Sequence, residues 1–217
     1  MLGAVTGCAA PLSTLDPAGP RASILANLWW IMFVGAMALF ALLMVLLYAS
    51  HRWQTAMQKL SPGQWIVAGG LLLPLPVLVA LTVSALLIGE QFLARPADGS
   101  EPTRVIAAAE RWQWTFSYPD VPGAATTDNL LHIPAGVPVL VEVVGRDVIH
   151  SFWIPRLGGK MDAIPGHTNT TLIEADEPGR YYGVCAEYCG VGHETMRFIV
   201  EAHPVDEFAA ALGGEEQ

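Results

Sequence analysis

Positive charge is scarce in this chain: its 217 residues hold 11 Lys and Arg against 20 Asp and Glu, a formal net charge of −9. So few cations leave no continuous basic surface for a phosphate backbone, which argues against nucleic acid as a partner. Charge of either sign is thin, at 14% of residues, while 53% are hydrophobic and mean hydropathy is +0.42. Two stretches, Leu28 to Ala49 and Trp65 to Gly89, contain no charged residue at all. Such a chain is too apolar for an ordinary soluble domain of its length. No internal repeat, no dinucleotide-binding fingerprint and no Cys-x-x-Cys-His haem attachment motif appears. Cysteine is limited to three residues, Cys8, Cys185 and Cys189.

The charge-free stretches each reach the roughly 20 apolar residues that a bilayer core requires. Neither leaves a polar face, as helices of a soluble bundle would. Two spans joined as a hairpin over 23–92 are therefore expected. The link between them carries Arg52 and Lys59 and no acidic residue, so the positive-inside rule places it in the cytoplasm and both termini outside. Trp29 and Trp30 at one end of the first span, and Tyr48 and Trp53 at the other, suit the membrane interfaces. Pro74 and Pro76 are tolerable in a span and suggest a kink packed against a larger partner. Residues 1–22 read as an N-terminal arm. Within it, Val5-Thr6-Gly7-Cys8 resembles the end of a lipoprotein signal, although few residues precede it.

Beyond Gly89 the pattern changes to short alternating runs separated by Pro and Gly, the mark of a β-sandwich. Trp112, Trp114, Phe116 and Tyr118 alternate with polar residues, and Val137 to Val144 is apolar on both faces apart from Glu142. Asn169 to Glu174, Arg180 to Val184 and Met196 to Ala202 supply further strands. An all-β Greek-key domain of cupredoxin type is expected over 96–203, followed by a tail, 204–217, with a short helix from Pro204 to Leu212. From Glu90 onward, 19 acidic residues stand against 8 basic ones. That balance favours a basic partner, with an acidic face expected around Asp147 and Asp120.

The densest chemistry lies in Cys185-Ala-Glu187-Tyr-Cys189-Gly-Val-Gly-His193-Glu-Thr-Met196. Thiolate and thioether sulfur select soft or borderline transition metals, and the Cys-x3-His-x2-Met spacing of Cys189, His193 and Met196 is that of a blue-copper loop. Cys185 adds a second thiolate that could bridge a pair of copper ions. His150, in Asp147-Val-Ile-His150-Ser-Phe-Trp, is the candidate for a further ligand. Three alternatives compete. A disulfide between Cys185 and Cys189 leaves the His and Met spacing unexplained, zinc has no use for Met196, and mononuclear copper makes Cys185 redundant. His51, His132, His167 and His203 have no comparable neighbours in sequence and read as surface or hydrogen-bonded residues.

These motifs, with Gln113-Trp114-Thr-Phe-Ser-Tyr118, Gly-Lys160-Met-Asp162-Ala-Ile-Pro-Gly and Tyr181-Tyr182-Gly, resemble subunit II of cytochrome c oxidase over nearly the whole chain. The resemblance implies a dinuclear CuA centre held by Cys185, Cys189, His150, His193, Met196 and the backbone carbonyl of Glu187, with the pairing of each His to Met196 left open. It implies that the Glu187 side chain binds magnesium at the contact with subunit I, and that Trp114 is an exposed indole through which cytochrome c passes its electron. Read from residues alone, Trp114 is a core aromatic. The implied partners are subunits I and III and cytochrome c, and the implied place is a bacterial inner membrane with the copper domain on the periplasmic side. The chain departs from many members in having no carboxylate between Ser61 and Gly70 for proton uptake. The rival reading is a membrane-tethered copper-binding or copper-delivery protein without an oxidase partner.

Overall fold

The computed structural model of the chain describes residues 9–90 and 102–213. Cys8 and the expected domain start at 96 lie outside the described residues. Two units are distinguishable, one of residues 28–91 and one combining 1–27 with 92–217.

The first unit is helical. Helix α1 (Pro20–Arg52) is 33 residues long and contributes its greater part, and α2 (Gln54–Met57) forms the link. Ser61 then opens α3 (Pro62–Val67) with a reciprocal capping box. Its hydroxyl accepts from the Gln64 N–H while the Gln64 side chain accepts from the Ser61 N–H, satisfying two donors at the helix start. A wide π turn over Ala68–Leu72 follows, closed by the Leu73 N–H donating to the Ala68 carbonyl at 3.0 Å, before α4 (Pro74–Glu90). Pro74 supplies no N–H and its ring crowds the preceding turn, so a local change of pitch is where the expected irregularity is absorbed. Both Pro20–Arg52 and Pro62–Gly89 are long and apolar enough to cross a membrane.

The second unit is the expected cupredoxin-like β-sandwich. One sheet contains β1 (Thr103–Glu110), β2 (Gln113–Ser117), β3 (Thr127–Asp128), β5 (Val139–Gly145) and β8 (Asn169–Ile173), in the order β3-β2-β1-β5-β8. The other contains β4 (Leu130–Pro134), β6 (His150–Trp153), β7 (Met161–Ala163), β9 (Gly179–Cys185) and β10 (Arg197–His203), in the order β4-β10-β9-β6-β7. Alternation sends Val139, Val141 and Val143 of β5, and Phe198 and Val200 of β10, into one core with no more than 2% exposure. β1 contributes Val105, Ala107 and Ala109 to the same core. Helix α5 (Val205–Gly213) closes it by burying Phe208 and Leu212, with the Phe208 ring 6.4 Å from that of Tyr118.

The arm before α1 is stitched to this sandwich. The Ala18 N–H donates to the Arg156 carbonyl at 2.8 Å, the Asp176 N–H donates to the Ala18 carbonyl at 2.9 Å, and Arg156 pairs with Asp16 at 3.1 Å. A Cβ on Gly19 would lie 2.1 Å from the Glu174 carbonyl oxygen, so glycine is the residue that permits this approach.

Candidate metal centre

The end of β9 and the starts of β6 and β10 converge at one end of the second sheet. Phe152 pairs with Cys185 across β6 and β9, the Cys185 N–H donates to the Met196 carbonyl at 2.9 Å, and the Ala186 N–H donates to the Ser151 carbonyl at 2.9 Å. Residues 186–196 therefore form a loop clamped at both ends. Within it Gly190 takes φ +117° and a short 3-10 turn spans His193–Thr195.

This clamp gathers the donor atoms. The Cys185 and Cys189 Sγ atoms are 3.8 Å apart, far beyond the roughly 2.05 Å of a disulfide. His150 Nδ1 is 3.8 Å from Cys185 Sγ, His193 Nδ1 is 3.7 Å from Cys189 Sγ, and Met196 Sδ is 3.8 Å from Cys189 Sγ. The Glu187 carbonyl oxygen stands 3.3 Å from Cys185 Sγ. Donors bound at about 2.3 Å to one ion at tetrahedral angles stand about 3.8 Å apart, so the spacing fits shared metal ions. His150, Cys185, Cys189 and Met196 are buried and His193 is half-buried. Burial, then the neighbouring Cys185 thiol, pushes the Cys189 thiol up to about 11. Without metal it keeps its proton at neutral pH, so loading must release it.

The outer face of His150 is fixed by Asp147. His150 Nε2 lies 2.8 Å from Asp147 Oδ1, and a carboxylate can only accept, so Nε2 carries the proton and Nδ1 presents its lone pair to the thiolates. Asp147 also accepts from the Arg111 side chain at 2.7 Å, the Arg111 N–H at 3.1 Å and the Val148 N–H at 2.7 Å. Burial alone would raise its carboxyl; the hydrogen bonds from His150, Arg111 and the backbone outweigh that and hold it well below the usual carboxylate range. Asp147→Asn keeps the shape and loses the charge that orders the imidazole. It is expected to weaken metal binding about tenfold to a hundredfold, read by chelator competition.

The family profile described as "Cytochrome C oxidase subunit II, periplasmic domain" matches residues 122–203. A curated relative, "Cytochrome c oxidase subunit 2" of Alkalihalophilus pseudofirmus, is 32% identical over 97% of this chain; the chain spans 64% of that relative's length. The crystal structure of the periplasmic domain of cytochrome oxidase subunit II of Bradyrhizobium japonicum is 32% identical, with 55% of this chain and 94% of that one covered, at TM-score 0.50. The chain belongs to the cytochrome c oxidase subunit II family.

For a subunit II chain, the placement of its tryptophans corrects one expectation. Trp114 is not an exposed indole: it has 0% exposure and packs among Phe116, Phe152 and Phe198, with its ring centroid 6.4 Å from that of His150. Strand alternation turns Trp114, Phe116 and Tyr118 inward together, so the indole fills the core beside His150. An exposed indole beside this loop is Trp112, at 42% exposure, in the turn between β1 and β2. Its Nε1 donates to the Cys189 carbonyl at 3.4 Å, and the ring covers Gly190 and Gly192. A Cβ on Gly192 would lie 2.3 Å from the ring, so glycine there is what lets the indole lie on the ligand loop.

The acidic face expected around Asp147 and Asp120 does not form. Asp120 sits beside Arg104 at the start of β1, and Asp147 beside Arg111 past its end, roughly 20 Å further along the strand. Each is also paired with an arginine. The Glu187 carboxylate points outward, about half-exposed, 3.8 Å from the Lys160 ammonium, which also contacts Asp162 at 3.2 Å. His132 and His203, which sequence leaves as isolated residues, are in contact: Nδ1 of the first is 2.8 Å from Nε2 of the second. They lie on different strands 71 residues apart, and no local pattern marks such a pair.

Proposed function

We propose that this chain is the subunit of a cytochrome c oxidase that receives electrons, with two copper ions held by Cys185, Cys189, His150, His193, Met196 and the Glu187 carbonyl. Bound there, the copper pair supplies one-electron redox chemistry between a c-type cytochrome donor and haem in subunit I, where oxygen is reduced. The observation that carries this reading is the position of the buried Met196 Sδ, 3.8 Å from Cys189 Sγ and inside the thiolate and imidazole cluster. Zinc makes no use of a thioether, whereas a thioether beside thiolates and imidazoles is a donor that copper would accept.

The chain's own residues define how a donor is met. Trp112, Ile149 and Val191 expose apolar surface around the ligand loop, Val191 at 90% exposure. The Trp112 ring offers a contact between a docked donor and the backbone of Cys189. The buried Trp114, Phe152 and Phe198 rings exclude water from the other side. The exposed Glu187 carboxylate lies beside Lys160, and the exposed Tyr188 ring packs edge-on against His193; contact with subunit I, and a magnesium ion on the Glu187 carboxylate, belong to that surface. Helices α1 and α3 to α4 span the membrane with the sandwich on the periplasmic side.

Stopped-flow reduction of the assembled oxidase by a basic c-type cytochrome tests the reading. Rising ionic strength should slow association, since the excess of 19 acidic over 8 basic residues from Glu90 onward attracts such a donor, is screened beyond about 8 Å at physiological salt and acts mainly on the on-rate. Gly192→Ala pushes a methyl into the Trp112 ring; it should retain copper and slow transfer at saturating donor. Parent rates in Gly192→Ala at saturating donor would count against this route for the electron.

A further inference from the structure

At the opposite end of the same sheet lies a second cluster of side chains with metal-ligand chemistry, His132, Glu201 and His203. β10 pairs in parallel with β4, placing Glu201 beside His132, and His203 follows two residues later on the same face of β10. A residue, its second neighbour and a cross-strand partner form a triangle on one sheet face. Here the donor atoms of His132, Glu201 and His203 all lie within 4.8 Å of one another. His132 is buried at 4% exposure, while Glu201 and His203 are half-buried, so an ion could reach the triangle from solvent. The imidazole planes are inclined by only 21° with centroids 5.0 Å apart.

The surroundings hold these donors in place. The His132 N–H donates to the Tyr118 hydroxyl at 2.8 Å, and the Ala135 N–H donates to the His203 carbonyl at 2.8 Å. Arg180, opposite Glu201 on β9, grips Oε1 of its carboxylate and keeps the group ionised, as a metal ligand must be. Two neutral imidazoles and a carboxylate, with no sulfur, suit a borderline divalent ion such as zinc. The set is separate from the thiolate centre: Glu201 and His203 lie five and seven residues beyond Met196 on an extended strand, about 17 to 23 Å away.

We propose that His132, Glu201 and His203 form a second metal site, taking one divalent ion of the zinc class and tying the edge strand β4 to β10. The ion would act as a staple, because among the described residues β4 has no other strand neighbour in its sheet.

The test uses the full chain in detergent with its thiolate centre loaded with copper, titrated with zinc sulfate by calorimetry and followed in the visible spectrum. One zinc per chain should bind beyond the copper, with an unchanged copper spectrum and a raised thermal midpoint. His203→Ala, at a half-buried strand end, should bind zinc about a hundredfold more weakly, since loss of an outer-shell partner alone costs a metal site about tenfold to a hundredfold. It should also lose the rise in midpoint. Glu201→Gln should do the same and provides a second variant if one folds poorly. Zinc held at other histidines, such as His51 or His167, would survive both substitutions. Parent affinity in both variants, or no zinc bound by the parent chain, would overturn the proposal and leave a hydrogen-bonded histidine pair.

Discussion

Cys185→Ser is expected to abolish the copper pair and leave at most one copper per chain. Cys185 Sγ stands 3.8 Å from His150 Nδ1 and 3.3 Å from the Glu187 carbonyl oxygen, so its loss removes the sulfur beside both of these donors. Cys189, His193 and Met196 remain on their clamped loop, and their spacing is that of a mononuclear blue-copper site. The purple colour of a shared thiolate pair should give way to the blue of a single thiolate. Metal analysis with the visible spectrum reads both. Retention of two coppers would mean that the Cys185 sulfur is not a bridge.

The two neighbouring tryptophans are expected to fail in opposite ways. Trp114→Ala removes a fully buried indole from between Phe116, Phe152 and Phe198, and the cavity should cost about 3 to 5 kcal/mol of stability. Trp112→Ala removes a ring that is 42% exposed, so its stability cost should be much smaller. For transfer the order reverses. Trp112→Ala takes away the contact with the Cys189 carbonyl and should slow electron uptake at saturating donor, with little change in affinity or salt dependence because no charge is removed. Thermal unfolding and stopped-flow reduction on the same two variants separate packing from transfer. A parent transfer rate in Trp112→Ala would move the electron's route elsewhere.

The ligand loop was legible because its donors sit within twelve residues and their spacing is itself chemical information. The strands with clean alternation were legible too: Val137 to Val144 and Met196 to Ala202 anticipate β5 and β10 within a few residues. β1 was not, since Ala107, Ala108 and Ala109 favour a strand only weakly; its place between β2 and β5 makes it one. His150 follows β5 by five residues and is itself the first residue of β6. The tryptophans show a sharper limit. Trp112 and Trp114 share a parity, and alternation alone sends both inward. Only the turn after Glu110 carries Trp112 beyond the sandwich and onto the ligand loop, and Gly190 and Gly192 were the sequence signal that something flat lies there. Pairings across long separations, such as Arg111 with Asp147 or His132 with His203, depend on register and had no local signature.

The measurement that bears most directly on the central claim is the electron paramagnetic resonance spectrum of the full chain, loaded with copper and oxidised, taken with its metal content. Two sulfurs 3.8 Å apart, flanked by His150, His193 and Met196, predict two coppers per chain and a seven-line hyperfine pattern, the sign of one electron shared equally over two copper nuclei. A four-line pattern from one copper, or a colourless protein holding a single zinc at the cysteines, would contradict it.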